Sequence, residues 1–223
     1  MLNQKTIAFI GSGIMAEAII KGLLRQGLVT PDKIIASGPR PGRGQELFDR
    51  YGVRTTTGNV EAASGAEVVV LSVKPQVLGR VLEELGGHVD PGALVISIVA
   101  GAKTETSQRM LGTPAVVRVM PNTPAQIGLG ISVWTDTEVT TGAQKEQALA
   151  ILRALGEEVY VEDEGDMDMA TALSGTGPAY VFLLMEDMVD EGVHLGFSRH
   201  VSERLVVETL RGSVEYARQS PRH

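Results

Sequence analysis

Near the start of the chain, Gly11-Ser12-Gly13-Ile14-Met15-Ala16 reads G-x-G-x-x-A. An apolar run at 6–10 precedes it, and Met15, Ile19 and Leu23 follow at helical spacing. A glycine at 11 permits a tight strand-to-helix turn. A glycine at 13 lets the backbone come close to a diphosphate, and a small residue at 16 lets helix and strand pack closely. The free N–H groups and partial positive charge of the helix start suit an anion. This is the pattern of a dinucleotide-binding turn, including Ser12, Ile14 and Met15, although a plain β-α connection uses the same geometry without ligand.

A dinucleotide carrying a free ribose 2′-hydroxyl is usually met by Asp or Glu at the end of strand two. Here that place reads Ser37-Gly38-Pro39-Arg40-Pro41-Gly42-Arg43, with no acid. Ser37 is expected to donate to a phosphate oxygen, and Arg40 and Arg43 to face its charge, unless the arginines merely solvate a loop. At a solvated rim such a pair contributes about 1 kcal/mol, which favours NADP(H), with NAD(H) as the alternative.

Ligands in open α/β sheets lie beyond the carboxyl ends of the strands. Strand four ends in Val73-Lys74-Pro75, strand five in Ala100-Gly101 and strand six in Met120-Pro121-Asn122-Thr123-Pro124. Lys74 is a candidate for a ribose hydroxyl or phosphate, Asn59 for the adenine-side ribose, and small Ala100 and Gly101 would admit a nicotinamide ring. Later in the chain, Ser174-Gly175-Thr176-Gly177-Pro178 makes a glycine-rich turn at a helix start. Thr176 is the expected N-cap and Pro178 fits the first helical turn. The turn reads as an anion site or as a capped domain hinge.

Other chemistries find little support. His88, His194, His200 and His223 form no H-x-x-x-H or H-E-x-x-H pair, so no metal site is expected. No nucleophile elbow is present, and with no Cys there is neither thiol nor disulfide chemistry. Met185 and Met188 read as core filler, and Trp134 as packing.

The elements that must position these residues are legible as alternating runs. Strands are expected at 6–10, 33–36, 67–71, 94–99, 115–120, 131–134 and 158–161, with a further short strand just before Asn59. Helices are expected through Leu23, at 43–51, 75–85 and 104–111, and along the stripe Ala148, Ile151, Leu152 and Leu155. Alternating strands and helices imply an α/β, doubly wound, mostly parallel sheet. After the polar link Glu162-Asp163-Glu164-Gly165-Asp166 the pattern is helical only. Val181, Leu184, Met185, Met188 and Val189 share one face, Gly192 is an expected stop, and Ser198 is an expected N-cap of a helix toward Tyr216. The expected division is a dinucleotide-binding domain at 1–162 and a small all-helical unit at 163–223. Glu164 is a candidate polar contact. So short a helical unit buries a core poorly alone, which points to packing on another surface or a second copy.

Composition agrees with an ordinary globular chain. Of 223 residues, 43% are hydrophobic and 21% charged, with net charge −7. Eleven of the 27 acids but only five of the 20 bases follow residue 162, so a nucleic-acid partner is not expected. The longest nearly apolar stretch is 93–102, about half of a membrane span. With no leader pattern at the N-terminus, a cytoplasmic location is expected.

These motifs together resemble pyrroline-5-carboxylate reductase. The resemblance is carried by Phe9-Ile10-Gly11-Ser12-Gly13-Ile14-Met15-Ala16, by Val73-Lys74-Pro75, by Met120-Pro121-Asn122-Thr123-Pro124, and above all by Leu173-Ser174-Gly175-Thr176-Gly177-Pro178-Ala179-Tyr180. It implies a Rossmann domain, a helical domain that interlocks into a homodimer and often a higher homo-oligomer, and hydride transfer from NAD(P)H to a cyclic imine carboxylate, giving proline. It assigns Asn122, Ser174, Gly175, Thr176 and Gly177 to the substrate and identifies no catalytic acid or base. Family members continue past the ending Ser220-Pro221-Arg222-His223 into a Ser- and Gly-rich turn that holds the substrate carboxylate, so coenzyme binding with weak turnover is expected. The alternatives are another NADP-dependent imine or hydroxy-acid oxidoreductase, against which the absence of Lys from 173–180 counts, and a non-catalytic cofactor-binding dimerisation module.

Overall fold

Short β-branched runs such as Val68-Val69-Val70 have no polar alternation, and strands of that kind are stable only where both sheet faces are covered. The computed structural model, which describes residues 2–220, shows how this is achieved. Pro221, Arg222 and His223, where the family pattern is expected to break off, lie outside the described residues.

Eight strands form one sheet: β1 (Ile7–Ile10), β2 (Ile34–Ser37), β3 (Arg54–Thr56), β4 (Val68–Leu71), β5 (Leu94–Ser97), β6 (Val116–Met120), β7 (Gly130–Asp136) and β8 (Gly156–Tyr160). Their order is β3-β2-β1-β4-β5-β6-β7-β8. The first six are parallel. The helices are α1 (Ile14–Arg25), α2 (Pro41–Tyr51), α3 (Asn59–Ala63), α4 (Pro75–Leu85), α5 (Thr104–Leu111), α6 (Gly142–Arg153), α7 (Asp166–Ala170), α8 (Gly177–His194) and α9 (Arg199–Gln219). In β1, Ile7 and Phe9 join one core with residues of α1, α2 and α6, while Ala8 and Ile10 join a second with α3, α4 and α5. The period of two within a wholly apolar strand therefore feeds two cores.

β7 runs antiparallel to β6, and β8 parallel to β7. Between β6 and β7 stands only a 3₁₀ turn at Thr123–Ile127, too short for the crossover that a parallel return requires.

The chain divides into two compact units at Gly175 and Thr176, later than the 162/163 boundary expected from the polar link. Residues 163–175 stay with the sheet because Arg118 on β6 pairs with Glu164 at 3.2 Å and Asp168 at 3.0 Å.

The second unit is the α8–α9 pair. Ser198 caps α9, accepting from the Val201 N–H. Gly192, expected to stop α8, instead lies inside it; Gly196 at φ +103° takes the turn. A Cβ on Gly192 would stand 2.6 Å from Ser202 Oγ, so its missing side chain is what lets α8 and α9 approach. Only Val189 and Val206 are buried among the described apolar side chains of this unit; Phe182, Leu183, Leu184, Leu205 and Val214 are about half exposed or more.

Candidate functional site

β1 delivers the chain to Gly11 at φ +103°, and its N–H donates to Ser37 O at 3.1 Å. A Cβ there would lie 2.7 Å from Ser72 O, at the end of β4. Ser72 Oγ donates to Gly11 O at 2.8 Å, fixing the turn from the other side. Gly13 is the N-cap of α1, with no side-chain cap. A Cβ on Gly13 would meet nothing within 4 Å. The space before Gly13 is thus open, and the first N–H groups of α1 have no intrahelical acceptor. This cradle fits a diphosphate: donors and helix dipole converge where one added methyl would stand.

The rim beyond β2 differs from expectation. Ser37 is fully buried, and its hydroxyl donates to Asn59 Oδ1 at 2.8 Å. It therefore supports Asn59. Asn59 in turn donates to Glu84 Oε2 at 2.8 Å, a carboxylate on α4 that sequence proximity gave no reason to place here. Arg43 is also committed elsewhere. Its Nε donates to Ser12 O at 2.9 Å, and its guanidinium pairs with Glu17 and Glu46. Glu17 further accepts from Tyr51 at 2.8 Å and Arg50 at 3.0 Å. Burial alone would raise the Glu17 carboxyl, but the bonds from Arg43, Tyr51 and Arg50 outweigh it and hold the group below the ordinary carboxylate value. Arg43 is thus a brace on the phosphate turn. Arg40, exposed and in no ion pair among the described residues, is the arginine left to face a ligand.

The remaining strand ends line the same edge of the sheet. Val73 lies against Gly11, its Cγ1 3.0 Å from where a Cβ would stand. Exposed Lys74 is the N-cap of α4, and Pro75 is its first residue. Ala100 and Gly101 follow β5, with Gly101 at φ +72° and open space where its Cβ would be. Asn122 begins the turn after β6; its Oδ1 accepts from the Ile131 N–H at 3.0 Å, which fixes the amide orientation. Ser174 and Gly175 sit in a π-helical turn, Thr171–Gly175, a rare feature that is frequent at functional sites. Ser174 Oγ donates to Ala170 O at 3.0 Å. A Cβ on Gly175 would stand 2.5 Å from Met120 Cε. The structure thus brings Ser174 and Gly175 beside the end of β6, whereas Thr176 and Gly177 open the second unit. Thr176 holds the N-cap position of α8 with helical backbone angles and no side-chain capping bond, so the expected cap does not form. Pro178 lies in the first turn of α8.

Comparison with known proteins gives independent findings. Residues 6–101 match the family model described as NADP oxidoreductase, coenzyme F420-dependent, and residues 164–223 match pyrroline-5-carboxylate reductase dimerisation. A pyrroline-5-carboxylate reductase of Pseudomonas aeruginosa is 41% identical over 220 residues, covering 98% of this chain and 80% of that protein. The structure of a pyrroline-5-carboxylate reductase from Coxiella burnetii superposes with a TM-score of 0.89 at 34% identity, covering 99% of this chain and 82% of that one. A Plasmodium falciparum pyrroline carboxylate reductase with NADP bound gives 0.89 at 31% identity, covering 99% and 81%.

Proposed function

The chain belongs to the pyrroline-5-carboxylate reductase family, and from that premise we propose how its residues divide the work. It is an NAD(P)H-dependent oxidoreductase that reduces the C=N bond of 1-pyrroline-5-carboxylate to L-proline, the last step of proline biosynthesis. When bound, the coenzyme supplies the hydride. The open N-cap at Gly13 binds its diphosphate, with Ser12, Ile14 and Met15 completing the turn. Asn59 faces the adenine-side ribose, and Arg40 the 2′-phosphate. Val73, Lys74, Pro75, Ala100 and Gly101 border the rest of the coenzyme.

Asn122, Ser174, Gly175, Thr176 and Gly177 contribute to binding of the substrate. A protonated imine is already an electrophile, so orientation and burial of the ring carry the reaction, and no side chain is assigned as acid or base. The carbon receives the hydride and the nitrogen keeps the proton it carries. NADP(H) is favoured over NAD(H) because no acid ends β2 and Arg40 stands free there. The helical unit, whose functional start we place at the polar link after residue 162, forms a homodimer or a higher homo-oligomer. This accounts for the exposed Phe182, Leu183, Leu184 and Leu205. No helix among the described residues is long and apolar enough to cross a membrane, and a cytoplasmic location is part of the proposal.

The observation that carries the coenzyme assignment is the open space where a Gly13 Cβ would stand, at the uncapped start of α1. The test follows NADPH absorbance on addition of 1-pyrroline-5-carboxylate and measures dissociation constants for NADPH and NADH. Weak but measurable imine-dependent oxidation with tighter NADPH is expected. Binding without oxidation would defeat the reductase reading, and tighter NADH would defeat the preference.

A further inference from the structure

Arg118 projects from the middle of β6 with its side chain only 5% exposed. A buried guanidinium is tolerated only where carboxylates meet it. Its two partners differ in exposure: the Glu164 side chain is 30% exposed and that of Asp168 77%. The Asp168 bond is therefore the more weakened by solvent, and Glu164 is the main counter-charge.

The same carboxylate has a second task. Glu164 Oε1 accepts the Thr104 N–H at 2.8 Å, and Oε2 accepts the Thr104 hydroxyl at 3.1 Å. Thr104 is the first residue of α5, and its N-cap, Lys103, contributes no side-chain cap. Glu164 thus caps α5 from 60 residues away. Just before Thr104 lies the loop with Ala100 and Gly101. Its internal bonds are long, Ala102 N–H to Val99 O at 3.3 Å and Val99 N–H to Ser97 Oγ at 3.4 Å. After Glu164 the chain runs through α7 into the π-helical turn that ends at Gly175, where a Cβ would touch Met120 Cε. Arg118 and Met120 stand two residues apart on β6, so they share one sheet face. One strand therefore grips both ends of the 164–175 segment.

We propose that Glu164 is a positioning residue, pinning the Ala100–Gly101 loop to the 164–175 segment so that the nicotinamide border and the Ser174–Gly175 turn keep a fixed separation. This rests on the assignment of Ala100 and Gly101 to the nicotinamide end of the coenzyme, given above. It sets Glu164 apart from a residue that merely stabilises the fold, because its effect is confined to one half of the coenzyme.

The experiment compares dissociation constants for NADPH and for adenosine 2′,5′-bisphosphate, which carries the adenine half alone. Glu164→Ala, Glu164→Gln and Thr104→Val are measured beside the wild type, with circular dichroism melts for each. Glu164→Ala is expected to weaken NADPH about tenfold, the effect of one charge-assisted hydrogen bond, while the adenine-half ligand stays within about twofold. Glu164→Gln keeps an acceptor for the Thr104 N–H but loses the ion pair, and Thr104→Val loses the hydroxyl bond alone; each should weaken NADPH about threefold. If Glu164→Ala does not fold, the two milder variants carry the same comparison. Unchanged NADPH affinity overturns the proposal, as does parallel weakening of both ligands. A wild type that binds NADPH but leaves the imine unreduced defeats the functional reading and leaves this comparison standing.

Discussion

Gly11 and Gly13 are two residues apart in one turn, yet the structure predicts opposite outcomes when each becomes alanine. At Gly11 the backbone has φ +103°, and the new Cβ would lie 2.7 Å from Ser72 O and 2.9 Å from Ser72 C. Left-handed strain costs about 1–3 kcal/mol. Backbone overlap adds about 1–3 kcal/mol, since neither β1 nor β4 can move without disturbing the sheet. Gly11→Ala should therefore lose about 2–6 kcal/mol, or roughly 4–24 °C in Tm for a chain of this size. At Gly13 the angles are φ −75° and ψ −176°, open to any residue, and the Cβ meets nothing. Replacing an N-cap glycine by alanine costs about 0.5–1 kcal/mol, so Tm should fall by only about 1–4 °C. The methyl nevertheless occupies the diphosphate cradle. Displacing one charge-assisted backbone bond, at about 1.5–3 kcal/mol, should weaken NADPH by about ten- to two-hundredfold, and displacing two by more. Calorimetric melts paired with NADPH fluorescence titration read both quantities on the same samples. A Gly13→Ala protein that binds NADPH as tightly as wild type would refute the placement of the diphosphate, because no folding defect could then be blamed.

Arg40→Ala should weaken NADPH about fivefold and leave NADH unchanged, the worth of one solvated charge pair to the 2′-phosphate; equal losses for both coenzymes would remove Arg40 from that role. Glu17 titrates in the folded protein below its ordinary value, so its contribution to stability is present above the unfolded pKa and is lost as pH falls through the folded one. The stability gap between wild type and Glu17→Gln, measured by urea melts, should stay level near neutrality and narrow as the pH falls below the ordinary carboxylate range; a gap that widens on acidification would contradict the sign. Gly192→Ala gains about 1 kcal/mol of helix propensity but forces its Cβ to 2.6 Å from Ser202 Oγ and 2.9 Å from Ser202 Cβ. Overpacking of about 1–3 kcal/mol should make it a net loss in Tm. Ser202→Ala, which removes a buried hydroxyl without a partner, should be neutral or stabilising.

Most of the fold was legible because its signals are local. Pro75 opens α4 and Leu85 closes it where spacing and proline chemistry place them, and α5 spans 104–111 as expected. The glycine turn and the strand ends follow from a β-α rhythm that each segment carries within itself. What escaped the sequence depends on partners far along the chain. The reversal of β7 comes from a connection too short to cross over, although β7 itself reads like any other strand. Gly192 looks like a helix stop until the α9 backbone is seen beside it. Glu164 could be named as a polar contact, but its acceptor role toward Thr104 requires knowing that the polar link meets both Arg118 on β6 and the start of α5.

Arg43 and Ser37 show how partners far along the chain engage residues whose type alone suits a phosphate. Both have the chemistry to bind a phosphate, and both lie at the end of β2. The decision is made by competition for donors. Glu17, in the first turn of α1, meets three donors from α2 and draws Arg43 inward, where its Nε also holds the Ser12 carbonyl. Asn59, on α3, takes the Ser37 hydroxyl. Each residue is thereby committed to a neighbour: Arg43 fixes the turn that carries Gly13, and Ser37 fixes Asn59. Precise placement of a diphosphate cradle needs such supports as much as it needs contacts. With Arg43 so engaged, Arg40 is the arginine at this rim that remains free, and coenzyme preference should respond to Arg40 while turn geometry responds to Arg43.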